Sequence, residues 1–362
     1  MSFEKGSVSL RVFRVKPGSQ FPENAADRLA NDAIQPVDLI PAEGCVGWST
    51  GRHLLDRNIT EDSVKVAGRI RVSLVKAEKR IPAALFKAEC RQEELALMAA
   101  TDRQFLKRSE RAEISKSVQE RMIPTMPPSL SGIDVVRVND DIVYATAMGD
   151  SQVDLLTHSW KNTLGQELYP YTPALAATLL AKVSLNSLKS TSFSSAMADA
   201  DVEQDIGTEF LTWMWYFSEA CGGMSDGFGF ALEGPFTFIH EGAGAHVVVV
   251  RKGNPGIASE AKSALVAGKK LKQAKLTIAK GESTWACTIN GGEWTFSSLK
   301  LPKGEQNDPV SIFEERLMSI GQFVEAVEGL FQKFLVIRID EAKWKDEVSK
   351  IREWVDDRMA KA

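Results

Sequence analysis

Gly242 to Lys280 reads GAGAHVVVVRKGNPGIASEAKSALVAGKKLKQAKLTIAK, and the rest of the chain is read outward from it. Val247 to Val250 are four consecutive β-branched residues, which lose little in a strand and crowd one another in a helix, so His246–Val250 is expected to be extended. Arg251-Lys252-Gly253-Asn254-Pro255-Gly256 is turn chemistry. Ser259 precedes Glu260 and an alanine- and leucine-rich segment whose pattern predicts a helix ending near Gly268. Leu271 to Ile278 has period-two character and predicts a second strand. Residues 133–171 follow the same plan of strand, turn, helix and strand.

The stretch is also electrically distinct. From Arg251 to Lys280 there are eight basic residues (Arg251, Lys252, Lys262, Lys269, Lys270, Lys272, Lys275 and Lys280) opposed only by Glu260, in a chain of net charge −4. A concentrated positive patch on an acidic protein suits a polyanionic partner. A lysine-rich, solvated edge that blocks sheet aggregation has the same composition, and the sequence leaves both readings open.

On either side, Gly207 to Glu219 (GTEFLTWMWYFSE) is the most aromatic segment. As a helix it carries aromatics on more than one face, which predicts deep packing rather than a base-stacking platform. Gly222-Gly223 and Gly227-Phe228-Gly229 read as irregular chain. Thr284–Ile289, the Asn290-Gly291-Gly292 turn and Trp294–Leu299 form the clearest hairpin. Pro309–Phe334 and Asp340–Ala362 read as helices, the second amphipathic with mixed charge.

Toward the N-terminus, Ser7–Val15 alternates as a half-buried strand, and Asn24–Ala33 reads as a short helix capped by Asn24. Pro36–Ile40 suggests a short strand, Gly44–Ser49 a glycine-flanked tryptophan turn, and Asp62–Val75 one or two strands. Lys76 to Met122 differs in kind. Pro82 opens a long helical region with Leu95, Leu97, Met98, Phe105, Leu106, Ile114 and Val118 at helical spacing, and its mixed charge reads as a wet face. Ile123-Pro124 stops it. Ile133–Val138 and Ile142–Ala147 then read as strands joined at Asn139-Asp140-Asp141. Asp150-Ser151 opens a helix ending at Gly165, Leu168–Tyr171 is a further strand, Pro173–Leu185 is helical and Asn186–Asp201 a serine-rich loop.

The chain has 362 residues, a length that suits two or three domains or one large elaborated one, and it is 44% hydrophobic and 25% charged, the composition of a globular protein. No run approaches the roughly 18 apolar residues of a membrane span, and no signal peptide is read at the N-terminus, so a cytoplasmic location is the default. Cys45, Cys90, Cys221 and Cys287 are widely spaced and read as reduced thiols. Of the four histidines, His53, His158, His240 and His246, the last two could flank a strand. No cysteine or carboxylate cluster joins them at ligand spacing, so no metal site is expected. Neither GxGxxG nor GxxxxGK[ST] occurs, so no nucleotide cofactor is expected.

One succession of landmarks stands out: the strand SVSLRVFRV, Gly47-Trp48, Arg80-Ile81-Pro82-Ala83-Ala84-Leu85 before the charged helix, Ile123-Pro124, Ile133-Asp134, Ile142-Val143, Thr163-Leu164-Gly165 before Leu168-Tyr169-Pro170, Phe210-Leu211-Thr212-Trp213, Ala267-Gly268-Lys269-Lys270-Leu271 and Phe331–Ile339. In this order they resemble RdgC, the bacterial recombination-associated DNA-binding family, over about residues 7–339.

The resemblance implies an α+β fold of mixed or antiparallel sheets with long helices, in an elongated, horseshoe-like monomer that closes into a ring-shaped homodimer. It implies sequence-tolerant binding of duplex DNA through a positive inner surface, modulation of a RecA-type recombinase by competition for DNA, a nucleoid-associated cytoplasmic location and no catalytic residues. The regions expected are 1–170 with the charged helix 76–122, 171–340 with the basic segment 246–280, and a helical tail 341–362. The candidate DNA contacts are Arg251, Lys252, Asn254, Lys262, Lys269, Lys270, Lys272 and Lys275. The family carries an Arg and a Phe after the Leu-Pro step that ends its long helix. Here Thr125-Met126-Pro127 occupies that place and leaves the manner of ring closure open. Two alternatives stand beside this reading. One is a metal-dependent nuclease using Asp140, Asp141, Asp150 and Asp154, or Glu203, Asp205 and Glu209. The other is a non-enzymatic scaffold whose basic stretch meets an acidic protein.

Overall fold

The computed structural model describes residues 2–182, 188–196, 199, 205–225, 227–240, 246–251 and 259–360. The fold is mixed α+β, as expected, and is built on β1 (Val8–Val15). Alternation along β1 sends Val8, Leu10 and Val12 into one hydrophobic core and Phe13 and Val15 into another on the opposite face. A strand buried on both faces belongs inside a sheet. β1 accordingly pairs antiparallel with β6 (Ile142–Ala145) on one side and β13 (Thr295–Lys300) on the other.

Among the described residues, thirteen strands form one sheet. Its path runs β10 (His246–Val250), β9 (Phe228–His240), β11 (Lys270–Lys280), β12 (Ser283–Asn290), β13, β1, β6, β5 (Pro128–Arg137), β4 (Arg69–Lys79) and β2 (Cys45–Ser49). Three short strands lie off this path: β3 (Lys65–Val66) beside β4, β7 (Leu168–Pro170) beside β1, and β8 (Met224–Ser225) beside β9. The strand pairings are antiparallel throughout.

Helices cover the two faces unequally. The smaller core lies under α1 (Ala25–Asn31) and α5 (Asp150–Leu164), with Trp48 and Trp160 edge to face at 6.1 Å. The larger core lies on the other face, under α7 (Ile206–Ala220), α8 (Ser259–Val266), α9 (Pro309–Ile339) and α10 (Glu341–Ala360). α9 has 31 residues and is about 46 Å long at 1.5 Å per residue. That reach lets its Phe313 lie beneath Arg71 of β4 while its Phe331 meets Phe210 of α7 at 5.0 Å. Regions 1–170 and 171–340 therefore share both a sheet and a helix. The tail helix α10 is packed in as well, burying Trp344, Val348, Ile351 and Val355 in the larger core.

Several local expectations are corrected. Helix 76–122 is two helices: β4 runs on to Lys79, and α3 (Ala83–Ala100) and α4 (Arg108–Met122) form an antiparallel pair. Thr101 Oγ1 donates to the Leu97 carbonyl, Asp102 adopts a left-handed φ of 49°, and Glu110 accepts from the Lys107 amide at 2.8 Å, which restarts the chain as α4. Arg121 joins the two helices by pairing with Glu89 and Glu93, each at 2.9 Å. Val37–Leu39 is a 3-10 turn rather than a strand, and the tryptophan turn is strand β2. Asn24 precedes α1 but turns its side chain to Arg28 instead of capping the helix.

The longest described strand, β9, begins inside Gly227-Phe228-Gly229, where irregular chain was expected, and runs on through residues 230–240, for which the sequence suggested no element. Gly229, Gly234 and Pro235 hide it in the sequence. Proline lacks an N–H for a sheet ladder. Here it falls in a bulge: Gln273 pairs with Thr237 and Lys275 with Glu233, so two extra residues of β9 are absorbed around Pro235.

Candidate nucleic-acid interface

The basic stretch folds around β11, an inner strand between β9 and β12. Ala274, Leu276 and Ile278 are buried on the helix-covered face, while Gln273, Lys275 and Thr277 are half-exposed on the other. Lys272 is an extra residue in the β9–β11 ladder, between the pairs Leu271–Phe238 and Gln273–Thr237. At this bulge Lys270 and Leu271 are both buried, and the Leu271 amide donates to Thr212 Oγ1 of α7 at 2.9 Å.

Lys270 therefore leaves the set of DNA contacts. It is 4% exposed, and its Nζ donates to Glu209 Oε1 at 2.9 Å. The second Glu209 oxygen accepts from Arg338 Nε at 2.8 Å. Arg338 also donates to the Lys189 carbonyl at 2.6 Å and lies 4.8 Å from the Trp344 ring centre. This is a buried ionic triad linking α7, β11 and α9. A DNA phosphate has no access to it.

The other candidates separate. Lys269 is half-exposed, with Nζ 3.4 Å from the His246 carbonyl. Lys272 is half-exposed and takes part in further interactions of its own. Lys275 is half-exposed and pairs with Glu233, its directly opposite neighbour on β9, at 2.7 Å. Arg251 is exposed at the end of β10. Lys252 and Asn254 lie outside the described residues, as does the Lys262 side chain.

Residues that the sequence reading did not select share the open face with Lys275. Thr284, Ala286 and Thr288 of β12 and Ser297 and Lys300 of β13 are all exposed or half-exposed, whereas Trp285, Cys287 and Ile289 point into the larger core. The pairs Lys275–Thr288, Thr288–Ser297 and Ala286–Lys300 make this one continuous surface of short polar side chains with two lysines. At its β1 border, Arg11 is 4% exposed, with Glu293 3.9 Å away. The alternation of β11 and β12 carried this information, once the helix-covered face was known.

The chain matches no family model and no curated protein.

Three of the seven carboxylates considered for a nuclease have other partners in the structure. Glu209 is committed to Lys270 and Arg338, Asp205 caps α7 by accepting from the Gly207 amide at 2.9 Å, and Asp140 pairs with Arg137. Glu203 lies outside the described residues. No group of three or more potential metal ligands occurs among the described residues. The aromatic helix α7 is core, as its pattern suggested: Phe210, Trp213 and Trp215 are fully buried. No described helix is long and apolar enough to cross a membrane.

Proposed function

We propose that this protein binds duplex DNA without reading its sequence, through the open face of the β11–β12–β13 sheet and the lysines beside it. The observation that carries the reading is that face: an antiparallel surface of threonine, serine and alanine with Lys275 and Lys300 on it, Lys272 at the bulge before Gln273, and Lys269 further along the chain beside β10. Lysines supply DNA affinity by displacing counterions, and hydroxyl side chains donate to phosphate oxygens without reading bases. Short side chains let a backbone lie close to the sheet. In this reading the protein acts as a ring-shaped homodimer that limits the access of a RecA-type recombinase to DNA. The resemblance of the ordered landmarks to RdgC supports that extension, and the α3–α4 hairpin supplies a projecting contact element with Phe105 78% exposed.

A gel-shift series over salt concentration, with mass measurement in solution, tests the reading. Replacing Lys269, Lys272 and Lys275 together by glutamine is expected to reduce the slope of log affinity against log salt by about 2 to 3, at roughly 0.9 for each phosphate no longer neutralised. An unchanged slope removes this surface as the DNA site, and a monomer at all concentrations removes the ring.

A further inference from the structure

The β9–β10 ladder sets His240 directly opposite His246. Directly opposed residues of an antiparallel pair project from the same face, with Cβ atoms about 5 Å apart. His246 is exposed and His240 half-buried, and the next pair inward, Phe238 with Val248, gives the two imidazoles an apolar floor. His240 Nδ1 is buried and makes no hydrogen bond among the described residues. A buried ring nitrogen without a partner costs free energy unless something else satisfies it.

We propose that His240 and His246 form a two-imidazole site for a divalent late-first-row transition ion, of the zinc, copper and nickel class. Neutral imidazole is the ligand these ions favour, and two rings on adjacent strands act as a chelate that needs no rearrangement of the sheet. No group of three or more His, Cys, Asp and Glu side chains occurs among the described residues. The remaining coordination positions are therefore left to water or to a donor from another molecule. Lys269 Nζ, on the His246 carbonyl at 3.4 Å, is a nearby cation that weakens binding. The site clips the edge strand β10 to β9, so occupancy stabilises the end of the sheet. It is independent of the DNA reading.

The test uses the full chain titrated with Cu²⁺, followed by electron paramagnetic resonance and by thermal unfolding, with Zn²⁺ as competitor. The expected result is one Cu²⁺ per chain coupled to two ring nitrogens, displaced by Zn²⁺, with a raised unfolding temperature. His246→Ala, at an exposed position, is expected to weaken binding at least about tenfold, since even second-shell losses cost that much. His53→Ala and His158→Ala, which leave the pair intact, are expected to change nothing. Binding in His246→Ala as tight as in the parent chain, or no binding by the parent at micromolar Cu²⁺, overturns the proposal. His240→Ala is the companion variant, and if it fails to fold, His246→Ala alone decides.

Discussion

Lys270 Nζ lies 2.9 Å from Glu209 Oε1 across the interface of β11 and α7, with Lys270 4% exposed and Glu209 fully buried. A buried carboxylate held by two cations gains from each while every partner is present, and removing one partner leaves charge buried without compensation. Lys270→Ala and Glu209→Ala are each expected to cost about 3–5 kcal/mol in chemical denaturation. Replacing Glu209 should cost more than replacing Lys270, because two cations then lose their shared anion. Equal stability of Lys270→Ala and the parent chain would remove the triad as a structural element.

The same relationship separates Lys270 from the lysines proposed to meet DNA. Lys275→Gln breaks only an exposed pair with Glu233, and exposed pairs contribute about 0–1 kcal/mol. It is expected to leave unfolding almost unchanged while lowering the salt slope of DNA binding by about 1. Lys270→Ala is expected to do the reverse, so a folded Lys270→Ala variant with a reduced salt slope would contradict the assignment.

The α3–α4 hairpin yields a prediction about assembly. α3 has no fully buried residue, and Leu95 and Phe105 are 50% and 78% exposed. Large exposed apolar side chains on a projecting element suit a contact with a second copy. Phe105→Glu is expected to shift unfolding by no more than about 0.5 kcal/mol, as for other surface changes. In sedimentation it should weaken self-association, and DNA retention should fall with it. An unaltered association constant would place the dimer contact elsewhere.

Gly47 shows why one of the landmarks is structural. A Cβ there would lie 2.5 Å from the Ile34 amide nitrogen and 2.8 Å from the Ala33 carbonyl carbon, because β2 runs against residues 32–34. The Trp48 amide donates to the Asp32 carbonyl and its carbonyl accepts from Ile34, both at 2.9 Å. The Trp48 indole donates to Thr163 Oγ1 at 3.0 Å, and that hydroxyl donates to Asp32 Oδ2 at 2.6 Å. Gly47→Ala must push this backbone apart and is expected to cost about 1–3 kcal/mol in chemical denaturation, the usual cost of overpacking. A variant as stable as the parent would show that β2 yields without strain.

Elements with one dominant period were legible in the sequence. Alternation marked β1, the asparagine-glycine turn marked β12 and β13, and all-round hydrophobicity marked α7 as core. What stayed hidden depends on distant residues. β9 is disguised by Gly234 and Pro235 because its bulge exists only against β11. Lys270 reads as one more surface lysine until the bulge at Lys272 and the carboxylate of Glu209, 61 residues away, take it inside. The His240–His246 opposition is a matter of register. The break at 101–107 depends on Glu110 capping a second helix within a pattern that suits one continuous helix equally well.

Glu167 gives the pH prediction. Its Oε1 accepts from Lys161 Nζ of α5 at 2.8 Å, and its Oε2 from Tyr169 Oη at 2.8 Å and Lys16 Nζ at 3.0 Å. These donors, Lys161 foremost, hold the carboxyl down to about 2, against an ordinary value of 4.5. A depressed folded value means that the unfolded chain binds the proton first, so the stabilisation is present above about 4.5 and is lost as the pH falls from there toward 2. The group is half-exposed and its two lysines are exposed, so added salt should screen them and raise its midpoint. Side-chain carboxyl NMR is expected to place the midpoint near 2 at low salt. Glu167→Gln, which mimics the protonated side chain, is expected to flatten the dependence of unfolding on pH across that window by lowering stability above it and leaving stability below it nearly unchanged. A midpoint near 4.5 would mean that the ties from Lys16 of the segment after β1 and Lys161 of α5 do not persist in solution.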